Sequence, residues 1–140
     1  MIFIDSNVLI DILGVDQDWQ PWSRKLLRTL SADGDDLVIS TVVLAEIAGN
    51  APDLDSLLRL LSNIDVEVLQ LDGTSAFVAG QVFRRYRRAR REGAGQEAIL
   101  ADFLIGAQAL ETGSALLTRD AGIYHRYFPD LPLITPETHP

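Results

Sequence analysis

Apolar residues fall in short runs divided by polar turns, and the runs carry two different periods. Ile2 to Ile4, Leu37 to Ile39, Val66 to Leu71, Ala115 to Leu117 and Leu133 to Ile134 have strand length and strand composition. Between them, Val8 to Leu13, Trp22 to Ala32, Val42 to Ala48, Leu54 to Asn63, Ser75 to Arg91, Glu97 to Thr112 and Gly122 to Phe128 follow helical spacing. Turn residues mark the breaks at Gly14, Asp33-Gly34-Asp35, Gly49 to Pro52, Asp72-Gly73, Gly93 to Gly95, Gly113 and Pro129. Strands alternating with helices predict an α/β domain around a parallel sheet. Ligands of such sheets bind beyond the carboxyl ends of the strands, where the strand order reverses.

Four acidic residues break this pattern. Asp5 ends the first apolar run, and Asp120 follows the run from Ala115 to Leu117. Glu46 is the lone charged residue between Leu37 and Pro52, which predicts a segment buried around one carboxylate. Asp102 lies roughly 130° around its helix from the polar face of Glu97, Gln108, Glu111 and Thr112, on the apolar side. A buried carboxylate costs several kcal/mol unless a metal, a cation or a proton relieves it. Together the four form a candidate metal site. The plain alternatives stay open: Asp5, Ser6 and Asp120 can cap helices, and Glu46 and Asp102 can sit at an exposed edge or in an ion pair. Asp11 reads as a helix-face residue rather than a ligand.

Composition narrows the chemistry. At 140 residues and 47% hydrophobic, the chain fits one domain, residues 1 to 140, able to bury about 70% of its unfolded surface. No apolar run reaches the length of a membrane span, and an immediate entry into a strand gives a cytoplasmic expectation. With no cysteine and two histidines, His125 and His139, neither of which we give a role, a metal would have oxygen ligands, favouring Mg2+ or Mn2+.

The net charge of −8 speaks against nucleic acid only on average, because Arg84, Arg85, Arg87, Arg88, Arg90 and Arg91 crowd into one stretch. They are candidate RNA-phosphate contacts, and Arg119, beside Asp120, is counted with them. The same run suits a solvated helix face over a buried stripe of Ala76, Ala79, Phe83 and Tyr86, or an acidic protein partner.

Met1 to Ile10 (MIFIDSNVLI), the lone Glu46 after the second strand, Ala101 to Ala107 (ADFLIGA) and Leu116 to Asp120 (LLTRD) together resemble the PIN-domain ribonucleases, most closely the VapC toxins of bacterial toxin–antitoxin pairs. The resemblance spans the whole chain. Any one motif is weak, and the ordered set is specific. It implies a sheet of order 3-2-1-4-5 flanked by helices, and a magnesium-dependent endoribonuclease silenced by an antitoxin, in a homodimer or toxin–antitoxin hetero-oligomer. It assigns metal and catalytic roles to Asp5, Glu46, Asp102 and Asp120, with Ser6 and Thr118 as supporting hydroxyls. It also implies attack by water rather than by the ribose 2′-hydroxyl, leaving a 5′-phosphate and a 3′-hydroxyl. Tyr124 departs from the pattern, standing where an apolar aromatic is usual.

Other readings fare worse. A phosphoacceptor domain needs a late lysine, and the sole lysine is Lys25; a haloacid-dehalogenase-type phosphatase needs an aspartate at position 7, which is Asn7; and no phosphate-binding GxxxxGK[ST] loop occurs. The remaining rivals are a PIN fold that binds RNA or protein without cutting, and a housekeeping RNA-processing nuclease. Trp19, Trp22, Leu26 and Leu30 form a further helical stripe, suited to the core or to an apolar groove for an antitoxin.

Overall fold

The computed structural model describes residues 1–14, 18–93 and 98–140. Five strands, β1 (Ile2–Ile4), β2 (Leu37–Ser40), β3 (Val66–Leu69), β4 (Ala115–Leu117) and β5 (Leu133–Ile134), form one parallel sheet in the order β3-β2-β1-β4-β5. This is the order that the resemblance implies. Among the described residues seven helices connect them: α1 (Ser6–Leu13), α2 (Gln20–Ala32), α3 (Thr41–Ile47), α4 (Leu54–Asn63), α5 (Gly73–Arg91), α6 (Leu100–Glu111) and α7 (Gly122–Tyr127). A 3-10 turn, Ala48–Asn50, follows α3.

Phe3, Ile4, Ile39, Leu116 and Leu117 are wholly buried, as strands covered on both faces must be. They join Val8, Leu9, Leu61, Phe103, Ile105 and Phe128 in one core. The stripe of Leu26 and Leu30 belongs to that core, with Trp22 packed beside it, so it is packing rather than an open groove.

Chain order turns back at β1. Its neighbours are β2 on one side and β4 on the other, with Ile4 in register with Leu117. The Asp5 amide still donates to the Leu117 carbonyl at 2.9 Å, so the chain leaves both strands side by side. That juncture is the switch point at which α/β sheets hold ligands.

Element boundaries differ from expectation by local chemistry. Asp5 caps α1, which therefore starts at Ser6, and Ser40 caps α3, whose Val42 amide donates to the Ser40 hydroxyl at 3.1 Å. β3 stops at Leu69, where Gln108 Nε2 donates to the Gln70 carbonyl at 3.0 Å in place of a strand partner. The expected start of the sixth helix, Glu97, lies outside the described residues, and α6 begins at Leu100. No helix among the described residues is long and apolar enough to cross a membrane.

Candidate active site

Asp5 is the hub. It is buried, at 4% exposure, and both carboxylate oxygens are engaged. Oδ1 accepts from the Ser6 amide at 2.8 Å. Oδ2 accepts from the Thr118 hydroxyl at 2.8 Å, the Tyr124 hydroxyl at 3.1 Å and Asn7 Nδ2 at 3.3 Å. Asp5 thus caps α1 and also faces the carboxyl end of β4, so the capping alternative and the site reading describe one residue.

Thr118 ties the two strand ends together. Its hydroxyl oxygen accepts from the Asp120 amide at 3.1 Å while its proton goes to Asp5. Asp120 is exposed, and its Oδ1 accepts from the Gly122 amide at 3.2 Å at the entry to α7. Asp102 stands in the first turn of α6, half-buried, and reaches back to the Ile99 amide at 3.4 Å. Glu46 sits on α3.

The expected burial of the segment around Glu46 holds for β2 and fails for α3. Leu37 to Ile39 are buried, but on α3 only Val43 is, and Glu46 is exposed. A seven-residue helix at the rim of the sheet has one turn's worth of inward positions, so the remaining apolar residues stay at the edge.

The four carboxylates share one field. Burial raises the Asp5 carboxyl above its ordinary value, the bonds from Thr118, Ser6 and Tyr124 oppose this, and the charge on Asp120 adds to it. Asp102 is also raised, by burial first, then by Asp5 and Asp120 against the opposing Ile99 amide. Partial loss of hydration raises Glu46, with Asp5 and Asp102 adding repulsion and the Ser6 hydroxyl opposing. As a residue Glu46 is exposed, so solvent screens it and this shift carries little stability. Thr118 donates to Asp5 through its hydroxyl and Ser6 through its amide.

Among the described residues none of the four makes an ion pair with a protein cation. Among the described residues the ion pair is between Arg119 and Asp11. Arg119 Nη2 donates to Asp11 Oδ1 at 2.9 Å, and Nε lies 2.8 Å from Oδ2 at an angle too bent for a hydrogen bond. The Ser23 hydroxyl donates to the same Oδ2 at 2.7 Å, and the guanidinium stacks on Trp19 at 5.1 Å. Asp11 is fully buried on the inner face of α1, where it is the ion-pair partner of Arg119. Arg119, grouped above with the phosphate contacts, has an intramolecular task.

A cluster of carboxylates without a cation suits a divalent ion in its donor chemistry. Among the described residues no three acidic or imidazole groups are disposed to enclose a metal by themselves.

Two participants were not singled out by their sequence. Asn7 donates to Asp5 and to Thr118 Oγ1 at 3.2 Å, and its Oδ1 accepts from the Arg119 amide at 3.2 Å, which locks the two strand-end loops together. Tyr124 had a signal, its departure from the usual apolar aromatic, without a role attached. Buried beside Asp5, its phenol is held far above its ordinary value by burial and then by the charges of Asp5 and Asp102, so it remains a donor. Tyr124→Phe removes a proton donor from the Asp5 carboxylate, so the Asp5 pKa rises further. The acid limb of the pH–rate profile should therefore move to higher pH, while the alkaline limb stays. An unmoved acid limb would show that Tyr124 only fills space.

A parallel α/β sheet with carboxylates gathered at its switch point defines the class. The chain belongs to the PIN domain family, whose model matches residues 2–129. No curated protein matches it. Among solved structures it is similar to VapBC2 from Rickettsia felis bound to a DNA fragment from its promoter, at 21% identity and a TM-score of 0.68, over 96% of this chain and 98% of that one. It is also similar to FitAcB from Neisseria gonorrhoeae, at 23% identity and a TM-score of 0.67, over 98% and 99%. For FitAB bound to an IR36 DNA fragment the values are 25% and 0.69, over 97% and 95%.

Proposed function

We propose that the chain is a magnesium-dependent endoribonuclease, with manganese as a substitute, acting in the cytoplasm as the toxin of a toxin–antitoxin pair. The observation that carries this is the gathering of Asp5, Glu46, Asp102 and Asp120 about the switch point, where among the described residues no ion pair offsets them. The toxin role draws on the similarity to VapBC and FitAB structures and names an antitoxin as the protein partner.

Of Asp5, Glu46, Asp102 and Asp120, one or two would hold the ion directly and the others through its waters. When bound, the ion supplies charge neutralisation at the phosphate and a water nucleophile at neutral pH. The chain's part is to keep Asp5 ionised and aimed. Ser6, Thr118 and Tyr124 do so by directing protons at its two oxygens, and Asn7 keeps the β1 and β4 ends at a fixed separation. Glu46 or Asp102 would accept, at a carboxylate oxygen, the proton that the attacking water loses.

The test is cleavage of a labelled unstructured RNA with magnesium, with manganese and with chelator. Cleavage only with metal, yielding 5′-phosphate ends, supports the proposal. Metal-independent cleavage, or cyclic 2′,3′-phosphate ends, would sink it. Inhibition by a small protein from an adjoining reading frame separates a toxin from a housekeeping nuclease.

A further inference from the structure

Helix α5 has two opposed faces. Ser75, Ala79, Val82 and Tyr86 are buried against the core. On the far side, Phe77, Gln81, Arg84 and Arg88 follow one another at helical spacing, within roughly 60° of arc and over about 16 Å of helix. Phe77 is 68% exposed, more than any other large apolar residue described. Gln81, Arg84, Arg85 and Arg88 line a shallow depression of about 490 Å³ just beyond it.

Ordinary structural needs explain part of this stripe. Arg88, Arg90 and Arg91 lie in the last turn of α5, where cations complement the helix dipole. That does not account for Arg84, Arg85 or Phe77. In a chain with 20 carboxylates, Arg84, Arg85 and Arg88 make no ion pair among the described residues. A row of unpaired guanidiniums repels itself, and an exposed phenyl ring gains nothing from water.

We propose that the outer stripe of α5 is a docking rail for single-stranded RNA, with Arg84, Arg85 and Arg88 on successive phosphates and the Phe77 ring stacked on a base. Its strand is RNA only because of the ribonuclease reading above, and the rail deepens that reading by adding a contact distinct from the four carboxylates. Cations along a helix face and a flat, exposed ring beside them are the two parts a single-strand platform needs. A second copy of the chain fits less well, since a two-fold contact over this face would set arginine against arginine. An acidic peptide would satisfy the arginines but leave the ring without a purpose.

The experiment measures binding of a labelled unstructured 12-nucleotide RNA by anisotropy in chelator, with inorganic polyphosphate as a second probe. Phe77→Ala should weaken RNA binding by about tenfold, in line with one lost base stack, and leave polyphosphate binding unchanged. Phe77→Trp should restore affinity, with emission quenched by RNA beyond that of the wild type. Arg84→Gln/Arg88→Gln should weaken both probes and flatten the slope of log affinity against log salt by about 1.4, or roughly 0.7 per phosphate contact. All these residues are exposed, so thermal stability should not change. Wild-type RNA affinity in Phe77→Ala, or equal losses for RNA and polyphosphate, would overturn the rail. So would a change in sedimentation with RNA affinity intact, which would assign the face to a second copy. Rail-dependent binding without magnesium cleavage keeps this inference and removes the ribonuclease; cleavage with wild-type binding by both rail variants does the reverse.

Discussion

Asp102→Asn is expected to lower magnesium-dependent cleavage by about a hundredfold or more, while the metal-free variant melts at or above the temperature of the metal-free wild type. The two effects share one cause. In the absence of metal, Asp102 is raised by burial and by repulsion from Asp5 and Asp120, with only the Ile99 amide opposing. A carboxyl whose folded pKa exceeds its unfolded value adds stability below the unfolded pKa and loses it as pH rises through the folded one. Above the folded value the stabilisation is gone and the repulsion remains, so asparagine relieves the fold. Magnesium bound only to the native state stabilises by RT ln(1 + [L]/Kd), about 2.7 kcal/mol at a hundredfold excess over Kd. The wild type should therefore gain more from magnesium than the variant, and more at pH 7.5 than at pH 5. Thermal unfolding with chelator and with millimolar magnesium at matched ionic strength checks this. A variant that melts clearly lower than wild type without metal would make Asp102 a structural bonding partner and remove it from the site.

Asp5 and Asp120 were legible because strand ends are marked locally, by apolar runs that stop at short polar residues. Their meeting at one juncture requires β1 beside β4, which follows from the family resemblance and not from periodicity. The burial around Glu46 was misread because an apolar run does not reveal how many of its residues a short rim helix turns inward. Asp11 and Arg119 stayed hidden for a different reason: they are separated by 108 positions, and only the tertiary fold sets α1 against the loop after β4. Phe77 was readable in principle, since helical spacing alone puts it on the arginine face. Its exposure, which gives the placement meaning, depends on which face of α5 packs against Phe103 and Tyr127.

Asp11→Asn should be the most destabilising change near the site, with little direct effect on chemistry. Asp11 is fully buried and engages Arg119 and the Ser23 hydroxyl, while Arg119 also covers Trp19. Removing one partner of a buried ion pair costs about 3–5 kcal/mol. The Arg119 side chain is 24% exposed and can turn partly to water, which favours the lower end of that range. At roughly 2–4 °C per kcal/mol for a chain of this size, the melting temperature should fall by on the order of 10 °C. Replacing both partners, as Asp11→Leu/Arg119→Met, removes the uncompensated charge and should recover much of the loss. Because the Arg119 amide donates to Asn7 and its neighbour is Asp120, the single variant should also loosen the juncture and weaken magnesium-induced stabilisation. If Arg119 instead serves RNA phosphates, Arg119→Gln will weaken RNA binding in chelator at unchanged stability. A wild-type melting temperature for both Asp11→Asn and Arg119→Gln would show that the pair carries no folding energy and would return Arg119 to the phosphate contacts.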